Sequence, residues 1–247
     1  MVIGWFALSL CVCAVLFFIS APYGRHSRQG WGPVLQARFG WLIMEVFSPL
    51  VFSLFFFFGN GKTQPLHSVT IVFFSLWLLH YVHRACIYPF LMHYGEKPMA
   101  LSVVAMAVVF NVVNAYINGR YLNYSSGTYT WLWLYDPRFI TGTVLFICGF
   151  VINIHSDTLL RNLRNKGEDV YGVPRGGVFG LVSCANYFGE IVEWFGWAAL
   201  TWSVAGLSFA VWTAANLIPR AYAHHRWYHH TFAHYPRRRK AIIPFLF

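Results

Sequence analysis

Seven apolar runs, each about as long as the roughly 20 residues that a helix needs to cross a lipid bilayer, recur along this chain. Backbone polar groups inside a bilayer must be hydrogen-bonded within the protein, so such runs fold as α-helices. With 57% hydrophobic and 11% charged residues, the composition predicts an all-α, polytopic membrane protein. The predicted spans are 2–22, 39–59, 66–91, 98–118, 138–156, 178–202 and 205–223.

The basic residues predict how these seven helices are oriented. Most Lys and Arg residues lie in three places: the loop 23–38, the loop between the fifth and sixth spans, and the C-terminal tail. With seven spans, these three places fall on the same face of the membrane. The opposite face carries Lys62, Arg120 and Arg138. The positive-inside rule places the N-terminus outside or in the lumen and the C-terminus in the cytosol. The net charge of +10 therefore sets topology, and we expect no nucleic-acid partner. The first run lacks a charged leader and a cleavage site, so we expect it to be retained.

Polar residues within the second and third spans are candidates for chemistry. Glu45 lies four residues after Trp41, on one face of a helix, and Tyr81 and Arg84 lie one turn apart. An acid in apolar surroundings favours its protonated form and could donate a hydrogen bond. The structural alternatives are a pairing of Glu45 with Arg84 or a histidine, and a place for Tyr81 in the aromatic belt at the membrane surface.

The fourth span carries a stripe of amides, Asn111, Asn114 and Asn118, at helical spacing. Such a stripe either joins helices through hydrogen bonds or lines a cavity. The residues themselves leave both possibilities open.

The segment 151–194 holds polar residues that are costly in apolar surroundings and therefore indicate a site. Asn153 and Asp157 lie one turn apart before arginines and a glycine-rich loop that suit phosphate groups. The next two spans carry polar stripes as well, and together these groups suit the adenine, ribose and phosphates of a nucleotide. The chain has no strand followed by GxGxxG, so we expect the nucleotide to bind within the helical bundle. The two stripes are Asn186, Glu190 and Glu193, and Asn216, Arg220, His224 and Tyr228.

Two other functions deserve weighing. The HHRWYHH stretch has histidine spacing seen in di-iron desaturases, but the remaining histidines are too scattered for a metal site, and we expect none. A receptor or transporter would leave the acids of the sixth span unexplained.

Four long stretches carry a resemblance to a known family: HYVHRACIYPFLM, NIHSDTLLRNLRNKGEDVYGVPRGG, ANYFGEIVEW and AIIPFLF. From residue 23 to the C-terminus the chain resembles the steroid 5-alpha-reductases, membrane enzymes that reduce the C4–C5 double bond of 3-oxo-4-ene steroids with NADPH. The resemblance implies hydride transfer to C5 while Glu45 and Tyr81 polarise the steroid 3-ketone. A related membrane enoyl or sterol reductase, or an isoprenylcysteine-type methyltransferase that binds S-adenosylmethionine, is the alternative.

The resemblance also assigns roles to the other polar residues. We place Trp41, Arg84, Asn111 and Asn114 at the steroid. The residues implied at the cofactor are Tyr23, Asn153, Asp157, Arg164, Tyr171, Asn186, Glu190, Arg220, His224 and Tyr228.

The chain has no internal repeat or linker, so we expect a single integral-membrane domain, 1–247. About 1–118 would form the half that holds the steroid, and about 138–247 the half that binds NADPH. Besides its steroid substrate and the lipid bilayer we expect no partner, and the protein would be a monomer. Its membrane would be the endoplasmic reticulum in a eukaryote or the inner membrane in a bacterium.

Overall fold

The structure is a computed structural model that describes most of the chain. Its α-helices are α1 (Val2–Phe18), α2 (Ala37–Phe58), α3 (Ser68–Val82), α4 (Tyr88–Leu91), α5 (Leu101–Tyr124), α6 (Pro137–Leu163), α7 (Ala185–Thr201) and α8 (Val204–Thr231). The described residues are 2–19, 24–26, 28, 30–59, 68–92, 95–163 and 172–247.

Each of the predicted spans overlaps a helix, and α3 and α4, with the residues between them, make up the third. By length and composition, four helices of the described chain could cross a membrane, and α1 is apolar but shorter. The chain is therefore an integral membrane protein. The crossing of all seven spans and the orientation of the termini stay predictions. The four long apolar helices are Ala37–Phe58, Ser68–Leu91, Leu101–Tyr124 and Pro137–Leu163.

The chain divides into two compact units, Pro22–Phe139 and Met1–Ala21 with Ile140–Phe247. In the first unit, Asn111 Nδ2 of α5 donates to the carbonyl of Met44 in α2, and Asn123 Nδ2 of α5 donates to the carbonyl of Phe56 in α2. Both pairs have the same sequence separation of 67 residues, which shows that the two helices run parallel. Buried amides that bond to backbone across helices in this way tie the two together.

A short antiparallel ladder in the same unit was not expected from the sequence. It pairs β1 (Val34–Gln36) with β2 (Pro98–Ala100). Each strand leads directly into a helix, β1 into α2 and β2 into α5, so the ladder brings the starts of these two helices together. Strands of three residues are too short to produce an alternating pattern that sequence reading could detect.

The third span is interrupted by a π-helical segment, His83–Ile87, between α3 and α4. Pro89 has no backbone N–H and cannot continue the ordinary i→i−4 ladder, and the N–H of Tyr88 donates to the carbonyl of His83, five residues earlier. Such π segments are frequent at functional sites. Arg84 lies within this one and is buried.

In the second unit, α6 and α7 are antiparallel and touch through their backbones. A Cβ atom added to Gly189 of α7 would lie 2.6 Å from the backbone N of Asn153 and 2.7 Å from the carbonyl of Gly149 on α6. A Cβ on Gly196 would likewise collide with the backbone of Phe146. Glycines on both helices therefore permit a separation that side chains would prevent.

The remaining helices of this unit pack around α8. Trp212 Nε1 on α8 donates to the carbonyl of Trp5 on α1 at 2.9 Å, and the two rings are 4.7 Å apart. Phe209 of α8 contacts Trp194 of α7, with ring centroids 4.0 Å apart. The C-terminal segment then returns beside residues 181–184, where the N–H of Ser183 donates to the carbonyl of Lys240 at 2.8 Å.

Candidate active site

The Pro22–Phe139 unit brings together three of the predicted site residues, which we call the Glu45 cluster: Glu45, Arg84 and Asn111. Asn111 Nδ2 lies 2.6 Å from the carbonyl of Met44 and 3.4 Å from Glu45 Oε2. Arg84 Nη2 lies 4.0 Å from Glu45 Oε1, and the side chains of Arg84 and Glu45 are only 10% and 13% exposed. The pairing of Glu45 with Arg84, which the sequence left open, is thus present. Of the two possibilities for the amide stripe, Asn111 joins helices, since it bonds from α5 to α2.

An aromatic frame holds the arginine of this cluster. The Arg84 guanidinium carbon lies 4.6 Å from the Trp41 ring centroid and 5.0 Å from that of Tyr88. The two rings meet edge to face at 5.2 Å. Cation–π contacts of this kind stabilise a partly desolvated arginine. Sequence reasoning missed Tyr88, although its place one turn after Arg84 on an apolar helix was the available signal.

Tyr81 is 3% exposed and lies one turn before Arg84. Its ring packs 5.1 Å from Trp77 and 4.9 Å from His80. This burial within the unit differs from the exposed position of a residue in an aromatic belt. The alternative reading of Tyr81 as a belt residue is therefore disfavoured.

Asn114 is fully buried on α5 and bonds along its own helix. Asn118 Nδ2 donates to its carbonyl at 3.1 Å and lies 3.3 Å from its Oδ1. No described residue accepts a hydrogen bond from Asn114 Nδ2. A buried amide donor of this kind is costly unless another group satisfies it.

In the other unit, α6 and α7 bring four predicted cofactor residues together as the amide–acid cluster: Asn153, Asp157, Asn186 and Glu190. Asn153 Nδ2 donates to the carbonyl of Asn186 at 3.0 Å and lies 3.4 Å from Glu190 Oε2. Asn186 Nδ2 donates to Asp157 Oδ1 at 3.0 Å. Asn153 and Asp157 are buried, so the close glycine contact of α6 and α7 places polar groups of both helices side by side.

A second group on α7 and α8 is centred on a tyrosine that sequence reasoning missed. Tyr187 OH accepts a hydrogen bond from Arg220 Nη2 at 3.2 Å and lies 3.4 Å from His224 Nε2. Arg220 Nη1 also donates to Asn216 Oδ1 at 2.9 Å. Tyr187 could have been recognised as a phenol in an apolar helix directly after Asn186. It joins two predicted cofactor residues into one hydrogen-bonded group.

The structure places the other predicted residues as follows. Tyr228 is 2% exposed, one turn beyond His224, and stacks on Tyr235 with ring centroids 5.2 Å apart. Tyr23, Arg164 and Tyr171 lie outside the described residues.

Comparison with known proteins identifies the family. A family model described as 3-oxo-5-alpha-steroid 4-dehydrogenase matches residues 97–247. A protein of Arabidopsis thaliana named steroid 5-alpha-reductase DET2 is 42% identical over 94% of this chain and 90% of its own. Proteins named 3-oxo-5-alpha-steroid 4-dehydrogenase 1 are 44% identical in Bos taurus, over 95% of this chain and 91% of the relative. The Homo sapiens protein of the same name is also 44% identical, over 92% of this chain and 87% of its own length.

The matches to these three relatives extend over nearly the full length of the chain and of each relative. They include the helices that carry the Glu45 cluster and the amide–acid cluster. The chain is therefore an oxidoreductase that belongs to the 3-oxo-5-alpha-steroid 4-dehydrogenase family, the steroid 5-alpha-reductases.

Proposed function

We propose that this oxidoreductase reduces the C4–C5 double bond of 3-oxo-4-ene steroids, such as testosterone and progesterone, with NADPH, and forms 5-alpha-dihydro steroids. The observation that carries the proposal is the match, over 94% of the chain, to a relative named steroid 5-alpha-reductase. The two groups of polar residues in apolar surroundings support it, because intramembrane polar groups usually serve a site.

The chemistry of the polar residues in the Ile140–Phe247 unit fits NADPH. The carboxylates of Asp157 and Glu190 can accept hydrogen bonds from ribose hydroxyls or a carboxamide, and the side chains of Asn153 and Asn186 can donate and accept. Two of the internal contacts, Asn153 to Glu190 and Tyr187 to His224, are long at 3.4 Å. Such weak hydrogen bonds can be exchanged for bonds to a ligand at little cost.

Arg220 and His224 supply the cationic part of the proposed cofactor site. A guanidinium held by Tyr187 and Asn216 through two of its nitrogens presents a fixed donor to a phosphate. Arg164, Tyr171, Tyr23 and Tyr228 complete the residues that we assign to NADPH. When bound, NADPH supplies the hydride for the reduction, and these residues bind and orient it.

Tyr187→Phe tests this arrangement. We expect NADPH binding to weaken about tenfold. A hydrogen bond to a charged group contributes about 1.5–3 kcal/mol, and without the Tyr187 hydroxyl the Arg220 guanidinium would be held less firmly and would lose part of that contribution to its bond with the phosphate. Titration of the purified protein with NADPH measures the effect. Tyr222→Phe is the matched control, since this tyrosine of α8 stacks on Phe247 through its ring. An unchanged dissociation constant in Tyr187→Phe would exclude Tyr187 from cofactor binding.

At the steroid, we propose that Glu45 and Tyr81 polarise the 3-ketone through hydrogen bonds to its oxygen. Donors aimed at an oxygen on which negative charge develops lower the barrier more than they strengthen substrate binding. Asn111 and Arg84 would contact the steroid and also hold the Glu45 side chain in place, and Trp41 would provide an apolar surface for the steroid. Asn114 stays a proposed contact, with its buried amide available to a ligand.

The wider organisation belongs to the same proposal. We infer seven membrane spans in a single domain, with the N-terminus outside or in the lumen and the C-terminus in the cytosol. The steroid half would be about 1–118 and the NADPH half about 138–247. The protein would act as a monomer in the endoplasmic reticulum of a eukaryote or the inner membrane of a bacterium.

The deciding experiment is an assay of the detergent-purified protein with NADPH and testosterone or progesterone. NADPH oxidation is followed optically, and the product and its C5 stereochemistry are identified by mass spectrometry against standards. We expect a 5-alpha-dihydro steroid. NADPH binding without turnover would contradict the steroid assignment and favour another enone or an enoyl thioester. Binding of S-adenosylmethionine in place of NADPH would favour a methyltransferase.

A further inference from the structure

An open basic cleft lies at the C-terminal end of α8, and none of the residues that line it is among those assigned to the reaction. It has a volume of about 440 Å³ and is lined by His225, Arg226, His229 and His230. The sequence contains no Asp or Glu after Glu193. The described residues that line the cleft are basic or can donate hydrogen bonds, and none of them is acidic.

One wall of the cleft is held by two hydrogen bonds of Ser183. Its Oγ lies 2.6 Å from His225 Nδ1 and 2.6 Å from Tyr235 OH. Ser183 is 2% and Tyr235 4% exposed, so the bond between these two is buried, whereas the bond to His225 is partly buried. With Nδ1 engaged by Ser183, the imidazole of His225 is fixed in orientation and its Nε2 is the nitrogen left to bind a ligand.

A buried arginine lies behind this wall. Arg239 is 6% exposed, and its guanidinium carbon lies 5.3 Å from the Tyr235 ring centroid. The Tyr235 ring also lies 4.9 Å from that of His229. In the described chain, Arg239 Nε and Nη1 are enclosed without a hydrogen-bond partner. Buried guanidinium donors that no described residue satisfies are costly, so an anion bound nearby would stabilise the folded protein.

The surroundings of the cleft indicate a lipid as the source of that anion. The cleft begins directly after the predicted span 205–223, so a helix that crosses the bilayer there would place it at the level of the lipid headgroups. The tail beyond it exposes two basic residues, Arg237 and Arg238, followed by Phe245 and Leu246, each 78% exposed. Cationic side chains beside exposed apolar ones match the headgroup and acyl chains of an anionic phospholipid.

We propose that the cleft formed by His225, Arg226, His229 and His230, with Arg239 behind it, binds the phosphate group of an anionic phospholipid. The imidazole and guanidinium groups of the cleft donate hydrogen bonds to the phosphate oxygens, and Arg239 adds positive charge from behind Tyr235. A metal ion is the less favoured ligand, because the residues that the structure describes include no group of three His, Cys, Asp or Glu side chains arranged to hold one.

The test uses the full-length protein in detergent and measures the binding of phosphatidylglycerol by native mass spectrometry. We expect Arg226→Gln and Arg239→Gln each to weaken lipid binding about tenfold or more. Arg226→Gln removes a charge-assisted hydrogen bond to the phosphate, and Arg239→Gln removes a buried positive charge near it. Arg237→Gln removes the same charge from an exposed position of the tail. We expect it to weaken lipid binding by about fivefold or less, because one cation near an anionic headgroup contributes about that much. Arg226 is exposed, so its replacement leaves the fold intact even if Arg239→Gln does not fold.

Three further arms separate the possible phosphate sources. Phosphatidylcholine with the same acyl chains should bind about tenfold more weakly than phosphatidylglycerol. Inorganic phosphate at the same concentration should not compete, and Arg226→Gln should bind NADPH as the unmodified protein does. Equal losses in all three variants, competition by inorganic phosphate, equal binding of phosphatidylcholine or a loss of NADPH binding in Arg226→Gln would each overturn the proposal.

Discussion

Glu45→Gln is expected to lower steroid turnover by about a hundredfold or more, the usual effect of removing one donor to a developing oxyanion. The substitution keeps the size of the side chain and an oxygen that can accept from Asn111, but it replaces the carboxyl group that we assign to the 3-oxygen with an amide. Tyr81→Phe removes a hydroxyl from a side chain that is 3% exposed, and we expect a loss of similar size. Single-turnover measurements with saturating NADPH and steroid would separate the chemical step from binding.

The controls make the same chemical changes at exposed positions of the same unit. Glu96→Gln and Tyr124→Phe replace residues that are exposed, and each should retain full turnover. NADPH affinity should be unchanged in Glu45→Gln and Tyr81→Phe, since we assign the cofactor to other residues. A loss of NADPH binding in either variant would remove that residue from the steroid site.

Gly189→Ala is expected to destabilise the protein, although it places a better helix former in the middle of α7. Helix propensity alone predicts a gain of about 1 kcal/mol. The new Cβ, however, would lie 2.6 Å from the backbone N of Asn153 and 2.7 Å from the carbonyl of Gly149. These are backbone atoms that can yield only if α6 and α7 separate, and overpacking of this kind costs about 1–3 kcal/mol or more. The collision therefore outweighs the propensity.

The thermal unfolding midpoint in detergent measures this effect, at about 2–4 °C per kcal/mol for a chain of this size. NADPH binding should weaken in the same variant, because Asn153 shares the amide–acid cluster with Asn186 and Glu190 on α7. Gly180→Ala is the matched control, since a Cβ there meets nothing within 4 Å. A Gly189→Ala protein as stable as the unmodified one would contradict the close contact of α6 and α7.

Much of the helical framework could be predicted from the sequence. The run 39–59 corresponds to α2 (Ala37–Phe58), and the run 205–223 lies within α8 (Val204–Thr231). Length and apolar content are sufficient for this, since a helix forms its hydrogen bonds within one segment. The extension of α8 past the predicted span was missed because hydropathy falls where the helix leaves the apolar region, while its backbone bonding continues.

Part of the candidate site followed from spacing as well. Asn186 and Glu190, four residues apart, share a face of α7, and both contact Asn153 of α6. Tyr187 was missed because its importance depends on Arg220 and His224, which belong to another helix. The roles of all these residues in catalysis and binding stay predictions.

The sequence by itself determined that the chain is a helical membrane protein, where its helices lie and which residues share a helix face. These properties depend on contacts between residues that are near in the chain. Only the tertiary structure decided that α2 runs parallel to α5, that α6 and α7 touch at their glycines and that Arg84 lies in a π segment beside Glu45. These features depend on contacts between residues that are distant in the chain. A glycine or an amide within an apolar run does not indicate which helix it will contact.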